Sequence, residues 1–417
     1  MLISAKRYLL TCCLLHLFIV AFAQQRCSFD EKLSADIESK KTLSLALNEI
    51  EDLLSKWIAN NGHIQERSSY TIPIVFHVLW NTAAENISAE QIQVQLDILN
   101  EDFAAKNADL NQVPTAFAAL VAAVDIQFCL AQIAPDGSMT DGITRTRTFV
   151  DSLAIDDVYS SAGEGQDAWA PDSYLNVWVA NLNNNQVGFG SYPGQNEQAA
   201  DGVVIDYSVL GINDHPRLNL GRTLTHEVGH YFGLFHPWGD GLFNANCSGD
   251  DRISDTPIQD NTYAGQCPDL ALAPPESCGS ADMFMNFMNY TNDECLFMFT
   301  KGQKLRMLAT LLEIRSSLLT SNGCQNIVQP PVDTGILSIG PNPVKGTLYI
   351  STFLAQAATN IELTVYALDG RRVYHFEAAE ISTFFSHLIA VDKWASGPYF
   401  LVLSIGQQRS VEKILVY

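Results

Sequence analysis

The stretch His226-Glu227-Val228-Gly229-His230-Tyr231-Phe232-Gly233-Leu234-Phe235-His236 constrains this chain more than any other. On a helix, His226 and His230 lie four positions apart and project both imidazoles from one face toward a common ion. Glu227 turns off that face, near enough to serve as general base to a zinc-bound water without being a ligand. Gly233 is where such a helix must end sharply, because a residue without Cβ tolerates positive φ. The turned chain then brings in His236 as third ligand. One coordination position stays open for water or substrate, which marks a catalytic rather than a structural zinc. At average residue usage, a chance match to these fixed positions has odds on the order of 10⁻⁵.

At 417 residues the chain is long enough for two or three domains. Its net charge of −22 argues against nucleic acid or an anionic membrane surface as partner. Lys6 and Arg7, an apolar run from Tyr8 to Phe22 and the Ala21-Phe22-Ala23 site read as a secretory signal over residues 1–23, too short to span a membrane. The mature chain is then exported, without a transmembrane segment, where disulfides are permitted. Of nine cysteines, Cys12 and Cys13 leave with the signal, so an odd number remains. Cys27 stands apart from Cys129, Cys247, Cys267, Cys278, Cys295 and Cys324, and needs a job other than a bridge within that set.

Residues 24–67 read as a polar, mostly helical pro-segment with an apolar series at Leu43, Leu45, Leu47 and Leu53; the alternative is an integral part of the fold. A domain over 68–324 follows. Ile72–Trp80 predicts a buried strand, and Ser88 with Gln91 predicts a capping box before a helix carrying Ile92, Leu96, Leu99 and Phe103. Further strands are expected at 125–130, 174–180 and 202–207. Thr300 and Gln303 predict the start of a last helix carrying Leu305, Leu308, Leu312 and Ile314. A linker over 325–335, with Pro330 and Pro331, precedes short strands in 336–417 that predict a small β-sandwich.

Further along, Asn286-Phe287-Met288-Asn289-Tyr290 suits a methionine packed beneath the ligands and a tyrosine whose hydroxyl steadies an oxyanion; the bland alternative is two core residues. The His226–His236 motif, Asp255-Thr256-Pro257, the Met288 segment and Cys295 together resemble the pappalysin family of metzincin zinc metalloproteases, microbial members included. The resemblance covers roughly 69–324. It implies an α/β catalytic domain of mixed sheet and long helices above an irregular lower lobe, endopeptidase activity on protein or peptide substrates, and disulfides Cys247–Cys278 and Cys267–Cys295. Elimination then leaves Cys129–Cys324.

Asp250, Asp251, Asp255 and Thr256 lie in a loop resembling a calcium-binding region of that family, whose oxygen ligands suit Ca²⁺; solvated loop acids are the alternative. Asp293 resembles the acid that favours Arg or Lys after the scissile bond. Gly188-Phe189-Gly190-Ser191-Tyr192-Pro193 reads either as the substrate-binding rim or as an ordinary turn. In several metzincins a pro-segment cysteine occupies the open zinc position. Cys27 suits that latency role, with activation near Arg67; an inter-chain disulfide or an idle thiol is the alternative. Finally, Gly340-Pro341-Asn342-Pro343, Val365–Arg371, Ser396-Gly397-Pro398-Tyr399 and Lys413 resemble the type IX secretion sorting domain. That implies the outer-membrane secretion machinery as partner and a product that is secreted or held at the cell surface; the chain is expected to act as a monomer. A non-catalytic adhesin that kept a zinc site is disfavoured by the intact Glu227 and three histidines.

Overall fold

In the computed structural model, the described residues are 27–61, 69–196, 198–239, 247–260, 262–324, 338–353, 358–368, 370–381, 384–405 and 408–417. The residues read above as a signal sequence and as a linker, and Arg67, lie outside them. The chain divides into two compact units, Met1–Gln325 and Asn326–Tyr417.

The first unit begins with two helices, α1 (Phe29–Ser39) and α2 (Lys41–Asn61). A helical period puts Leu43, Leu47, Glu51 and Leu54 on one side of α2, and Leu43, Glu51 and Leu54 are buried. Leu45 and Leu53, expected within the apolar face, fall outside that stripe and are exposed.

Strand β1 (Tyr70–Trp80) is a near-continuous apolar run because both its faces are covered. Its first half pairs in parallel with β2 (Ile126–Leu130) and its second half with β3 (Ile143–Arg147). On its other side lie β4 (Leu175–Ala180) and β6 (Val203–Asp206), also parallel, and then β5 (Gly188–Gly190), antiparallel at the edge. Residues 143–147 gave no strand signal of their own, since polar Thr144, Arg145, Thr146 and Arg147 alternate too weakly.

Helix α3 (Ala89–Phe103) packs Ile92, Leu96, Leu99 and Phe103 into the core. Only half of the expected capping box forms: Ser88 Oγ accepts from Gln91 N, but the Gln91 amide donates instead to the Leu210 carbonyl at 3.1 Å. A one-turn α4 (Thr115–Ala118) precedes the central helix α5 (Arg222–Tyr231), and a short hairpin, β7 (Glu276–Ser277) with β8 (Ser280–Ala281), lies in the irregular part beyond it. Helix α6 (Lys301–Ala309) opens with a complete Thr300–Gln303 capping box and passes into a π-helical turn at Thr310–Ile314. Cysteines 129 and 324, 247 and 278, and 267 and 295 are joined; Cys27 is free and buried.

The second unit is all β. A three-stranded sheet contains β9 (Ser338–Gly340), β10 (Thr347–Phe353) and β13 (Phe384–Ala390). A four-stranded one contains β11 (Ala358–Ala367), β12 (Arg372–Ile381), β14 (Gly397–Ile405) and β15 (Gln408–Val416). Alternate residues such as Leu348, Ile350, Leu363, Val365, Leu401 and Leu403 form one shared core, which makes it a sandwich. Among the described residues, no helix is long and apolar enough to cross a membrane.

His77, in the middle of β1, is fully buried and bonded to Thr144 Oγ1 (2.8 Å) and Asn176 Oδ1 (2.9 Å). Burial pulls its pKa down to about 4, against the Asn176 bond, which pulls the other way. The unfolded chain therefore takes up the proton first as pH falls. The stability that neutral His77 contributes is complete above about pH 6.5 and is lost as pH falls toward about 4, by about 3 kcal/mol. We predict that His77→Gln flattens this acid loss in urea unfolding followed by tryptophan fluorescence between pH 7 and 4.5. Equal slopes in variant and parent would refute it.

Candidate metal and proteolytic site

Helix α5 carries His226 and His230 on one face, and the chain reverses at Gly233, whose φ is +84°. That turn brings His236 round, so the three Nε2 atoms lie 3.1–3.2 Å from one another. Each Nδ1 is spoken for: His226 by the Phe287 carbonyl (2.7 Å), His230 by the Leu234 carbonyl (2.8 Å), His236 by the Asp30 carboxylate (2.9 Å). An Nδ1–H donated outward leaves an unprotonated Nε2 facing inward. Burial pushes His230 well below the ordinary histidine range, which holds it neutral. Three inward lone pairs so close together repel unless a cation lies between them. Their spacing is near the ~3.3 Å edge expected of a tetrahedral site with Zn–N of ~2.0–2.1 Å. The residues present fit zinc.

Around this triad the fold is tightly specified. A Cβ on Gly229 would run into Met288 Sδ, so Met288 lies directly against the helix between the two histidines. Asn286 ties that segment to α6: its Oδ1 accepts from Met288 N (2.9 Å) and from the Gln303 amide (2.9 Å). Helix α5 is anchored to α3 by Arg222, paired with buried Asp102, and by Thr225 Oγ1, which donates to the same carboxylate at 2.6 Å. On the other side, β5 touches α5 through glycines. A Cβ at Gly188 would stand 2.7 Å from Glu227 Oε1, and one at Gly190 would overlap the Glu227 carbonyl.

Residues from α1 and the segment before it fill the cleft. Cys27 Sγ forms one cluster with the three histidine nitrogens and donates to Glu227 Oε2 at 3.3 Å. The Tyr290 hydroxyl donates to the Cys27 carbonyl at 3.5 Å. Ser28 N donates to Gly188 O at 3.0 Å, so this segment lies along the edge of β5. Phe29 stacks on His230, with centroids 3.8 Å apart, while Trp238 stacks on His236 at 4.6 Å.

The remaining expected residues are distributed differently. Asp293 is buried at the start of α5, its Oδ2 accepting from Leu220 N (2.9 Å) and Arg222 N (3.3 Å). Asp255 binds the start of α6 through Thr300 Oγ1 (2.7 Å) and Gly302 N (2.9 Å). Asp250 Oδ1 accepts from Arg252 N, and buried Asp251 Oδ1 accepts from Ile253 N. Asp251 Oδ2 and Thr256 Oγ1 are buried without a well-formed hydrogen bond.

Sequence reasoning missed Asp30, Glu51, Asp102 and Arg306. A signal existed for Glu51 and Asp102, each an acid placed within the apolar stripe of an amphipathic helix. Asp30 and Arg306 carried none.

A profile of the family described as Pregnancy-associated plasma protein-A matches residues 159–312, and one described as a secretion system C-terminal sorting domain matches 338–417. An extracellular metalloprotease of Verticillium alfalfae is 28% identical over 265 residues, 62% of this chain and 83% of its own. One from Sordaria macrospora is 35% identical over 149 residues, 34% and 50% of the two chains. Among solved structures, mature mirolysin of Tannerella forsythia in complex with a cleaved peptide is 41% identical, with TM-score 0.58, covering 61% of this chain and 97% of that one. A point mutant of promirolysin from the same organism is 36% identical, with TM-score 0.64, covering 71% and 97%.

Because β5 and α5 meet through bare backbone at Gly190, we predict that Gly190→Ala forces them apart. Overpacking of this kind costs about 1–3 kcal/mol. The expected result is a melting temperature lower by several degrees together with reduced activity. A variant with unchanged melting and activity would contradict the contact.

Proposed function

Because the chain belongs to the pappalysin family of metalloproteases, we propose that it is a zinc endopeptidase made as a latent precursor. Its extracellular metalloprotease relatives and its sorting domain make it a secreted or cell-surface enzyme. The observation that carries the reading is the convergence of three buried, outward-bonded imidazoles beside the Glu227 carboxylate.

Held by His226, His230 and His236, zinc supplies Lewis acidity, the property that activates water and polarises a carbonyl. Glu227 takes the proton of the attacking water on a carboxylate oxygen and delivers it to the leaving amine. Tyr290 donates to the substrate carbonyl oxygen as that oxygen gains charge; its contact with the Cys27 carbonyl supports this, since a peptide carbonyl there stands where a substrate's would. Met288 fixes the height of α5 beneath the ligands. The free edge of β5 receives extended substrate as an added strand, as the Ser28–Gly188 bond illustrates.

Cys27 is the latency switch in this reading. Its sulfur shares the ligand cluster, and its segment covers Glu227, Tyr290 and the β5 edge together. Activation removes residues up to about Arg67. Asp293 supports a preference for Arg or Lys after the scissile bond, as a buried carboxylate beside α5. Asp251 and Thr256, with Asp250 and Asp255, are the calcium candidates of the adjoining loop, supported by the oxygen-rich character of the buried Asp251–Thr256 pair.

Glu227→Ala is expected to lower casein or peptide-library cleavage by at least ~10²-fold, while metal analysis still finds one zinc per chain. Chelator-insensitive cleavage, or full activity in the variant, would sink the mechanism. The same library reads the Asp293 preference, and the same metal analysis reads calcium; a flat profile or absent calcium removes those two assignments. Cys27→Ala should make the precursor active before processing, at least tenfold above the parent in a short peptide assay. A variant as silent as the parent would remove Cys27 from latency.

A further inference from the structure

Glu51 lies on the buried stripe of α2, a carboxylate among leucines. Its Oε1 accepts from Arg306 Nη2 at 2.5 Å and from the Tyr192 hydroxyl, and its Oε2 faces Arg252 Nη1 at 3.0 Å. Arg306 is only 1% exposed, and Glu51 is the carboxylate paired with it among the described residues. The Arg306 and Arg252 guanidinium groups lie over the Phe235 ring, at 5.3 and 5.4 Å from its centroid, and Tyr192 stacks on the same ring at 4.8 Å. Arg306 Nε donates to the Gly233 carbonyl, in the turn that delivers His236. A receptor for one carboxylate is thus built from Tyr192, Phe235, Arg252 and Arg306, all within the catalytic part of the chain. The carboxylate itself comes from the segment that activation removes.

We propose that this receptor is a substrate subsite for an acidic side chain upstream of the scissile bond, filled by Glu51 in the precursor. This rests on the endopeptidase reading above and on loss of the pro-segment. Position supports the assignment. Strand β5 passes Glu227 at Gly188 and His230 at Gly190, and Tyr192 follows two residues later. A peptide pairing antiparallel to the free edge of β5 carries its upstream residues toward Tyr192. Chemistry supports it as well. A buried guanidinium, a second guanidinium and a phenol aimed at two oxygens favour a carboxylate over its amide isostere, because charge-assisted bonds are roughly twice as strong as neutral ones. Removal of α1 and α2 also takes Phe29 and Leu33 from the Tyr192–Phe235 cluster, leaving aromatic walls around the arginines.

The test uses amidated peptides that differ only by Glu or Gln, scanned across four positions on each side of the cleaved bond. With the processed enzyme, one upstream Glu should raise kcat/KM about tenfold over Gln. Arg306→Met should bring that ratio to about one. Arg252→Gln and Tyr192→Phe, which spare the Gly233 contact, should reduce it at least threefold and serve if Arg306→Met does not fold. Calorimetric binding of the same peptides to Glu227→Ala protein, after trypsin release of the pro-segment, reads the subsite without catalysis and should show about tenfold tighter binding of the Glu peptide. If no peptide is cleaved, the endopeptidase reading fails, yet these affinities still decide the subsite. Equal affinities, a preference confined to downstream positions, or a ratio unchanged in all three variants overturns it.

Discussion

Three unprotonated imidazole nitrogens held 3.1–3.2 Å apart in a water-poor interior repel one another, and most of the first unit serves to hold them there. No side chain can do this alone, because an imidazole rotates freely unless its second nitrogen is bonded. Two of the three are fixed by backbone carbonyls, Phe287 and Leu234, which belong to the Met288 segment and to the turn after α5. The capping box of α6 orients the first through Gln303 and Asn286; Arg306 holds the second by bonding Gly233. Helix α6, some seventy residues past the motif, is therefore part of the metal site although it contributes no ligand.

The third histidine is different. His236 is oriented by Asp30, which belongs to α1, and its ring is sandwiched with Trp238. Phe29 covers His230 and Cys27, just before α1, approaches Glu227, so this short segment meets the polar groups to which the proposed function assigns substrate. Plugging by shape would require only apolar bulk. Here the plug offers a thiol, a carboxylate and a peptide carbonyl, each matched to a polar group of the cleft. Such matching lets a charged, metal-ready centre remain buried.

Much of this architecture is legible in the residues themselves. The spacing of His226, His230, Gly233 and His236 specifies a helix, a reversal and a converging third ring, because 3.6 residues per turn and a left-handed glycine permit little else. The apolar run of β1, the stripe of α3 and the Thr300–Gln303 cap are equally local signals. What sequence could not convey was long-range pairing between polar groups. Asp102 with Arg222 and Asp30 with His236 are separated by 120 and 206 positions, and nothing local says that either will meet its partner. Likewise β3 is a strand only because the second half of β1 offers it an edge.

Glu51 shows how far a local anomaly reaches. A carboxylate placed in the apolar face of an amphipathic helix cannot be buried without counter-charge, since desolvation would cost several kcal/mol. The counter-charge it finds, Arg306, is itself buried and faces the same penalty in reverse once α2 is gone. Without Glu51, Arg306 keeps the Gly233 carbonyl, the Tyr192 hydroxyl and the field of buried Asp251, but it loses its bonded carboxylate and can take water or another anion there. The stacked Phe235 and Tyr192 rings beside it restrict how many waters can reach it, whereas the donors next to them suit a pair of carboxylate oxygens. On the proposed reading, the pro-segment and an acidic substrate would then compete for one electrostatic need at the same contact.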